Sequence, residues 1–359
     1  MMMKKTRIAV LYGGRSVEHG VSVNSARNIV EYIDRKKFEV VPIGITQQGK
    51  WYLTSTVNKD IRKGKPLTAN LDPATVCLFS GTKKIKFDMV FPVLHGTDGE
   101  DGSIQGFFKS MSMPIVGTSV LGSALSMNKI VAKRLLKEAG IPVTSFIPIH
   151  YTDPRPSFEE ISQTLGLPFM VKAASLGSSV GVSKVKSKTQ FNKAVKESFQ
   201  FDNELLFERY VKGREIECAI LGNQPPKASL PGEIVISKEY DFYTFDAKYV
   251  DSKAVSIKVP ASLTKEQSER IQQLSIQAFQ VLKCEDYARV DLFLSDGGEI
   301  FVNEINTIPG FTNSSMYPMM WRERGISFTG LITKLIVLAQ TRHKAATRIE
   351  HQFSSSLNY

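Results

Sequence analysis

The chain is short of cysteine, of long apolar runs and of secretory signals, and each shortage narrows what it can be. Its three cysteines, Cys77, Cys218 and Cys284, stand far apart in 359 residues. They make neither a disulfide framework nor a zinc motif and point to a reducing compartment. No apolar run approaches the roughly 20 residues that cross a bilayer. Met1 to Arg7 is basic but lacks the apolar segment and small-residue cleavage site of a signal peptide. The expectation is a cytoplasmic protein with no membrane partner. Helix-turn-helix, RNA-binding and zinc-finger signatures are also missing. A net charge of +11 raises nucleic acid as a partner. The lysines are nevertheless scattered, apart from Lys83-Lys84-Ile85-Lys86 and the C-terminal tail. We therefore expect no nucleic acid, and a basic surface or lysines that serve small anions.

What is present reads as an ordinary globular chain, 42% hydrophobic and 23% charged, long enough for two or three domains. Arg7 to Tyr12 is a buried strand, followed by Gly13-Gly14-Arg15-Ser16 and a helix. Ser22 is the expected N-cap of that helix, with Ala26, Ile29, Val30 and Ile33 as its apolar stripe. Strand, glycine loop and helix open a doubly wound α/β domain, without the GxGxxG dinucleotide fingerprint. Phe38 to Ile45 and Met89 to Leu94 are further strands, and residues 46–86 an elaborated loop or hairpin. The glycine-dense loop His95-Gly96-Thr97-Asp98-Gly99-Glu100-Asp101-Gly102 follows the carboxyl end of a strand, where α/β sheets hold ligands.

The character changes near residues 117–126, and a helix from Ile130 to Ala139 opens the next unit. Phe169 to Lys172 is a strand that ends in a lysine, and Ala173 to Lys184 is a Gly/Ser loop without a Walker A pattern. That loop reads equally as a hairpin or as a phosphate lid. Glu208 and Glu215 bracket a turn, as solvated glutamates or as acceptors for an adenine amino group and ribose hydroxyls. Tyr240 to Tyr249 is an aromatic loop, a closing lid or a buried cluster. An amphipathic helix spans Gln267 to Leu282, and the last strong helix runs from Gly330 to Ala339. From Gln340 the polar, basic chain is expected to fray.

The most informative stretch is Glu304-Ile305-Asn306-Thr307-Ile308-Pro309-Gly310 after the apolar run Ile300 to Val302. Two-residue spacing on a strand puts Glu304 and Asn306 on one face. Arg289 and Asp291 have the same spacing on the strand before. Oxygen ligands of this kind suit Mg²⁺, and the arginine suits a phosphate. The alternative is a salt-bridge network that caps the sheet.

Taken in order, these motifs resemble the D-alanine–D-alanine ligases of the ATP-grasp superfamily. The resemblance runs from about residue 5 to about 340. It rests on Gly13-Gly14 through Glu18-His19 with Val21-Ser22, on His95-Gly96 through Gly102, and on Ser126-Met127-Asn128-Lys129. It continues through Lys172 with Gly177 to Gly181, Lys248-Tyr249, Arg289-Val290-Asp291 and Glu304 to Gly310. Two positions depart from the pattern: Ala173 where proline often follows the lysine, and Asn128 where aspartate usually precedes Lys129.

The resemblance implies an ATP-grasp fold behind an N-terminal doubly wound, Rossmann-like α/β domain. The expected units are 1–126, 127–221 and 222–345, with a polar tail at 346–359. It implies ligation of two D-alanines through an acyl phosphate, with ATP and two Mg²⁺ (or Mn²⁺), in a homodimer. Asp291, Glu304 and Asn306 would hold the metals. Lys129 and Lys172 would grip the α/β-phosphates, with Ser179 in the closing loop. Glu208 and Glu215 would read adenine and ribose between Tyr210, Phe242 and Phe293. Glu18 would bind the first D-alanine's ammonium near His95, and Ser315 and Lys248 the second substrate's carboxylate. Arg289 and the Gly310 N–H would form an oxyanion hole. Glu18, Ser178 and Tyr249 would close the site. Relatives that use D-lactate typically lack the lysine-tyrosine ending, so Tyr249 favours an amine nucleophile; a D-alanine–D-serine or D-alanine–D-lactate ligase is the alternative.

Overall fold

The computed structural model describes residues 4–70, 77–178, 180–237 and 255–350. Ser179, Phe242, Lys248 and Tyr249 lie outside the described residues. The N-terminal sheet runs in the order Lys65–Pro66, Trp51–Leu53, Phe38–Ile45, Thr6–Gly13, Met89–Val93. Thr6–Gly13 is parallel to both of its long neighbours, one on each side. The chain therefore reverses its strand order between the carboxyl ends of Thr6–Gly13 and Met89–Val93. Such a switch point leaves a crevice for ligand, and the loops that begin at Gly14 and His95 meet there. The described residues between 46 and 86 form short strands, including the small antiparallel sheet Thr68–Asn70, Cys77–Ser80, Lys83–Ile85.

Ser22 does not cap its helix. The helix begins earlier, at His19, with Glu18 at the cap position. Ser22 lies fully buried inside it, where its hydroxyl accepts from the Gly13 N–H at 2.8 Å and donates to the Val93 carbonyl. A hydroxyl that can satisfy the ends of two adjacent strands is worth more there than at a solvated helix end.

An antiparallel sheet of four strands follows: Val182–Val185, Phe169–Ala173, Glu204–Arg209, Phe146–His150. A third sheet runs Val255–Lys258, Gly232–Ile236, Gly213–Leu221, Tyr287–Ser295, Ile300–Asn306, with Lys227–Ala228 paired beside Gly213–Leu221. Helix Lys265–Val281 covers its apolar face with Ile271, Leu274, Ala278 and Phe279. The mixed α/β architecture is that of an ATP-grasp protein.

The last helix, Phe328–Ala346, runs past the expected fraying point. Arg342 holds it: its guanidinium donates to Asp286 and to the Ile115 and Gly117 carbonyls at 2.7–3.2 Å. Composition alone does not reveal such an anchor. The inner face of this helix (Leu331, Ile332, Leu335, Ile336) shares one hydrophobic core with Ile8, Val10, Val23 and Phe91 of the N-terminal sheet.

Candidate active site

Strand pairing brings Arg289, Asp291, Glu304 and Asn306 together. Arg289 stands opposite Asn306, and Asp291 opposite Glu304. A β-bulge makes this possible. Leu292 pairs with Val302 while Asp291 pairs with Glu304, so Asn303 is the extra residue. Without it, Glu304 would share the face of Val302, which is fully buried in the core beneath the sheet. The bulge switches faces, leaving Val302 and Ile305 inward and Glu304 and Asn306 toward the site. The Arg289 guanidinium forks onto Asp291, with Nε and Nη2 each 2.7 Å from a carboxylate oxygen, and its Nε is 3.1 Å from Glu217. Asn306 Nδ2 donates to Asp291 at 2.9 Å.

Two cavities open on either side of this patch. One, of about 360 Å³, lies between the second and third sheets. Lys129, Lys172, Glu208, Tyr210, Glu215, Asp291 and Phe293 line it, among others. The other, of about 340 Å³, is lined by Glu18, His95, Glu100, Ser178, Arg289, Asn306, Gly310 and Ser315, among others. Gly177, Glu217, Ile234 and Glu304 belong to both walls.

The first cavity is rich in ion pairs. Helix Lys129–Glu138 projects Lys129 toward Glu304, at 3.6 Å, and toward the Leu176 carbonyl. Asn128 caps that helix by accepting from the Ile130 and Val131 N–H groups at 3.1 and 3.0 Å. The amide keeps the acceptor an aspartate would offer, and its Nδ2 also reaches Ser175 and Glu204. Glu208 is buried with one oxygen on Lys172 and the other on Lys133 and Thr144. Burial works against its charge, but the two lysines prevail and bring its pKa down to about 2. For Lys172, burial is likewise outweighed by Glu208, and its pKa is raised. Lys172 Nζ also donates to Asn303 Oδ1 at 3.2 Å and sits 5.9 Å above the Phe293 ring. Lys184 lies over Tyr210 at 4.0 Å.

The second cavity is tied together by backbone. His95 Nδ1 lies 2.8 Å from the Ile308 carbonyl, which can only accept, so Nδ1 carries the proton. In the neutral ring, Nε2 then accepts from the Ser25 hydroxyl at 3.1 Å, and Ser25 Oγ takes the Phe311 N–H at 3.3 Å. Burial lowers the His95 pKa, in keeping with the neutral form. Glu100 accepts the Gly96 and Ile308 N–H groups at 2.8 and 2.9 Å. Burial, with the Glu18 charge behind it, raises the Glu100 pKa to about 8. Ser178 donates to Glu18. Gly96 has φ +75°, and a Cβ there would lie 2.6 Å from Ser16 Oγ and 2.8 Å from Glu18, so only glycine fits. Ser315 precedes helix Met316–Arg322, accepts the Thr312 N–H at 3.0 Å and sits beside Gly310.

No group of three or more His, Cys, Asp or Glu side chains that could hold a metal occurs among the described residues. The donor set on the patch is two carboxylates and an amide, hard oxygen donors that suit Mg²⁺ or Mn²⁺ beside phosphate oxygens. Sequence reasoning missed Lys133, Thr144, Ser25, Glu217 and Asn303. Two signals were available: Lys133 lies one helical turn after Lys129, and the apolar pair Val302 and Ile305 breaks strand alternation.

Family models described as the D-ala D-ala ligase N-terminus and C-terminus match residues 7–118 and 135–337. A D-alanine–D-alanine ligase of Shouchella clausii is 44% identical over 357 residues, 95% of this chain and 96% of the relative. The chain belongs to the D-alanine–D-alanine ligase family. Two solved structures extend the comparison. VanG D-Ala:D-Ser ligase of Enterococcus faecalis superposes with a TM-score of 0.85 at 36% identity, over 94% of this chain and 100% of its own. D-alanine–D-alanine ligase of Bacillus anthracis complexed with ATP superposes with a TM-score of 0.74 at 28% identity, over 95% and 99%.

Proposed function

We propose that the chain joins two D-alanines at the expense of ATP. The first D-alanine's carboxylate takes the γ-phosphoryl group, giving an acyl phosphate and ADP. The amine of the second attacks the acyl carbon, loses a proton, and phosphate leaves the tetrahedral intermediate. The observation that carries this reading is the shared wall: Glu304 borders both cavities, and the Arg289–Asp291 pair spans them. A nucleotide in the first cavity would then present its terminal phosphate to a carboxylate in the second. Phosphoryl transfer needs charge neutralisation and alignment more than covalent help.

In this reading Lys129 and Lys172 grip the α/β-phosphates, Lys248 the transferred one, and Ser178-Ser179 closes over them. Glu208, its oxygens held by Lys133 and Lys172, and Glu215 read adenine and ribose between Tyr210, Phe242 and Phe293. Asp291, Glu304 and Asn306 would hold two Mg²⁺ or Mn²⁺ ions, which when bound neutralise phosphate oxygens. Glu18 binds the first ammonium beside His95, and Ser315 and Lys248 bind the second carboxylate. Arg289 and the Gly310 N–H stabilise the oxyanion. Tyr249 completes the Glu18–Ser178 link and excludes water from the acyl phosphate. The chain would act in the cytoplasm, for peptidoglycan precursor synthesis, as a homodimer. Sedimentation velocity tests the oligomeric state.

A coupled phosphate-release assay with ATP, Mg²⁺ and D-alanine tests the activity, and release of no phosphate overturns it. The likeness to a D-Ala:D-Ser ligase keeps a second reading in play. Product analysis with D-alanine, D-serine and D-lactate separates the choices, and a mixed product outrunning D-alanyl-D-alanine at neutral pH favours the alternative.

A further inference from the structure

Lys133 is among the most enclosed charged groups of the molecule, with 1% of its side chain exposed, and it does not line either cavity. It stands behind one that does. Its Nζ is 2.5 Å from Glu208 Oε1 and 3.0 Å from Thr144 Oγ1, and the Thr144 hydroxyl donates to that same carboxylate oxygen. The other Glu208 oxygen carries Lys172. Lys172 and Glu208 are diagonal neighbours on one face of adjacent strands, since Lys172 pairs with Leu206 and Met170 with Glu208. The order from the interior to the cavity is therefore Lys133 and Thr144, then Glu208, then Lys172.

One carboxylate between two ammonium groups sets how much charge each lysine has to spare. With Lys133 in place, Glu208 is compensated from behind, and the Lys172 charge is left to face the cavity. Without it, Lys172 becomes the only strong partner of a buried carboxylate, and such a charge is held tightly. We propose that Lys133 is a positioning residue: through Glu208 it keeps the Lys172 ammonium directed at, and electrostatically available to, the phosphates of the bound nucleotide. The proposal rests on the reading that the first cavity takes ATP. It assigns a role to a lysine that cannot itself touch the nucleotide. Thr144 serves the same arrangement from the same side.

The test compares purified full-length wild type with Lys133→Met, Thr144→Val and the double variant Lys133→Met/Glu208→Gln. Calorimetry reads binding of a non-hydrolysable ATP analogue, and steady-state assays read the KM for ATP and for D-alanine separately. Lys133→Met should weaken the analogue at least tenfold and raise the ATP KM to match, with the D-alanine KM within twofold. Thr144→Val should shift affinity in the same sense by a smaller factor, about threefold. The double variant should recover at least threefold over Lys133→Met, because the orphaned carboxylate charge has gone while an acceptor oxygen remains. A folded Lys133→Met that binds the analogue within twofold of wild type overturns the proposal, as does an equal rise in both KM values. Should Lys133→Met not fold, Thr144→Val decides, and unchanged affinity there overturns it. Wild-type protein that neither binds the analogue nor releases phosphate overturns the reading of the cavity itself. A normal wild type beside an unaffected Lys133→Met removes only the role of Lys133.

Discussion

The two cavities bury titratable groups by opposite means. In the first, charge answers charge: Glu208 with Lys133 and Lys172, Glu304 with Lys129. In the second, His95 and Glu100 are just as enclosed, but their hydrogen-bond partners are peptide groups and a serine hydroxyl. The difference predicts how each fails. Removing one member of a buried ion pair leaves an uncompensated charge, worth about 3–5 kcal/mol. Removing a neutral hydrogen bond costs about 1 kcal/mol. The first cavity thus holds its charged groups in a fixed field. The second is built to fix the relative position of loops distant in sequence.

The largest expected effect lies at the seam. Arg289→Ala should lower phosphate release by roughly 100-fold or more, the scale of a lost transition-state charge contact, while circular dichroism and melting report an intact fold. Glu304→Ala, on the wall common to both cavities, should behave alike. Activity within about threefold of wild type, roughly 0.65 kcal/mol of barrier, would remove either residue from the chemistry.

Acid titration sharpens the contrast next. The Glu208 pKa is about 2 in the fold against an ordinary 4.5. Its folded-state value is depressed, so its contribution is complete above about pH 4.5 and is lost as pH falls toward 2. The amount is on the order of 3 kcal/mol. Denaturant unfolding from pH 7 to 2 should show that loss in wild type. Glu208→Gln should be less stable at pH 7 and flatter through the acid window. Parallel curves for the two proteins would show that Glu208 carries no such linkage.

The smallest effect is expected in the second cavity. Ser25→Ala removes the hydroxyl that links His95 to the Phe311 N–H. It should cost about 1 kcal/mol in unfolding and raise the D-alanine KM a few-fold. A loss above about 3 kcal/mol would place Ser25 with the ion-paired groups and break the contrast.

Much of this site was legible in sequence because its residues sit at strand spacings within short motifs. Arg289, Asp291, Glu304 and Asn306 met as their two-residue spacing required. The bulge at Asn303 that lets them meet was not foreseen, because register depends on which strand pairs with which. Lys133 escaped notice because its partner lies on a strand of another motif, and a lysine on a helix usually faces water. Ser22 looked like a cap because its type suits one, while the groups it satisfies, Gly13 and Val93, are set by the sheet. Arg342 lay in a stretch whose composition reads as tail, and its bonds to Asp286, Glu285 and two backbone carbonyls across the fold explain why it is ordered.

The core that joins Ile8, Val10 and Phe91 to Leu331, Leu335 and Ile336 has a consequence for how the chain is made. The N-terminal sheet leaves the ribosome early, but the helix Phe328–Ala346 that covers part of it is synthesised only after the two sheets in between. At ordinary translation rates the delay is on the order of tens of seconds. During that time an apolar sheet face stands open. A nascent chain stalled before Phe328 should therefore bind chaperones and be easily cleaved by proteases, and release of the final helix should end both.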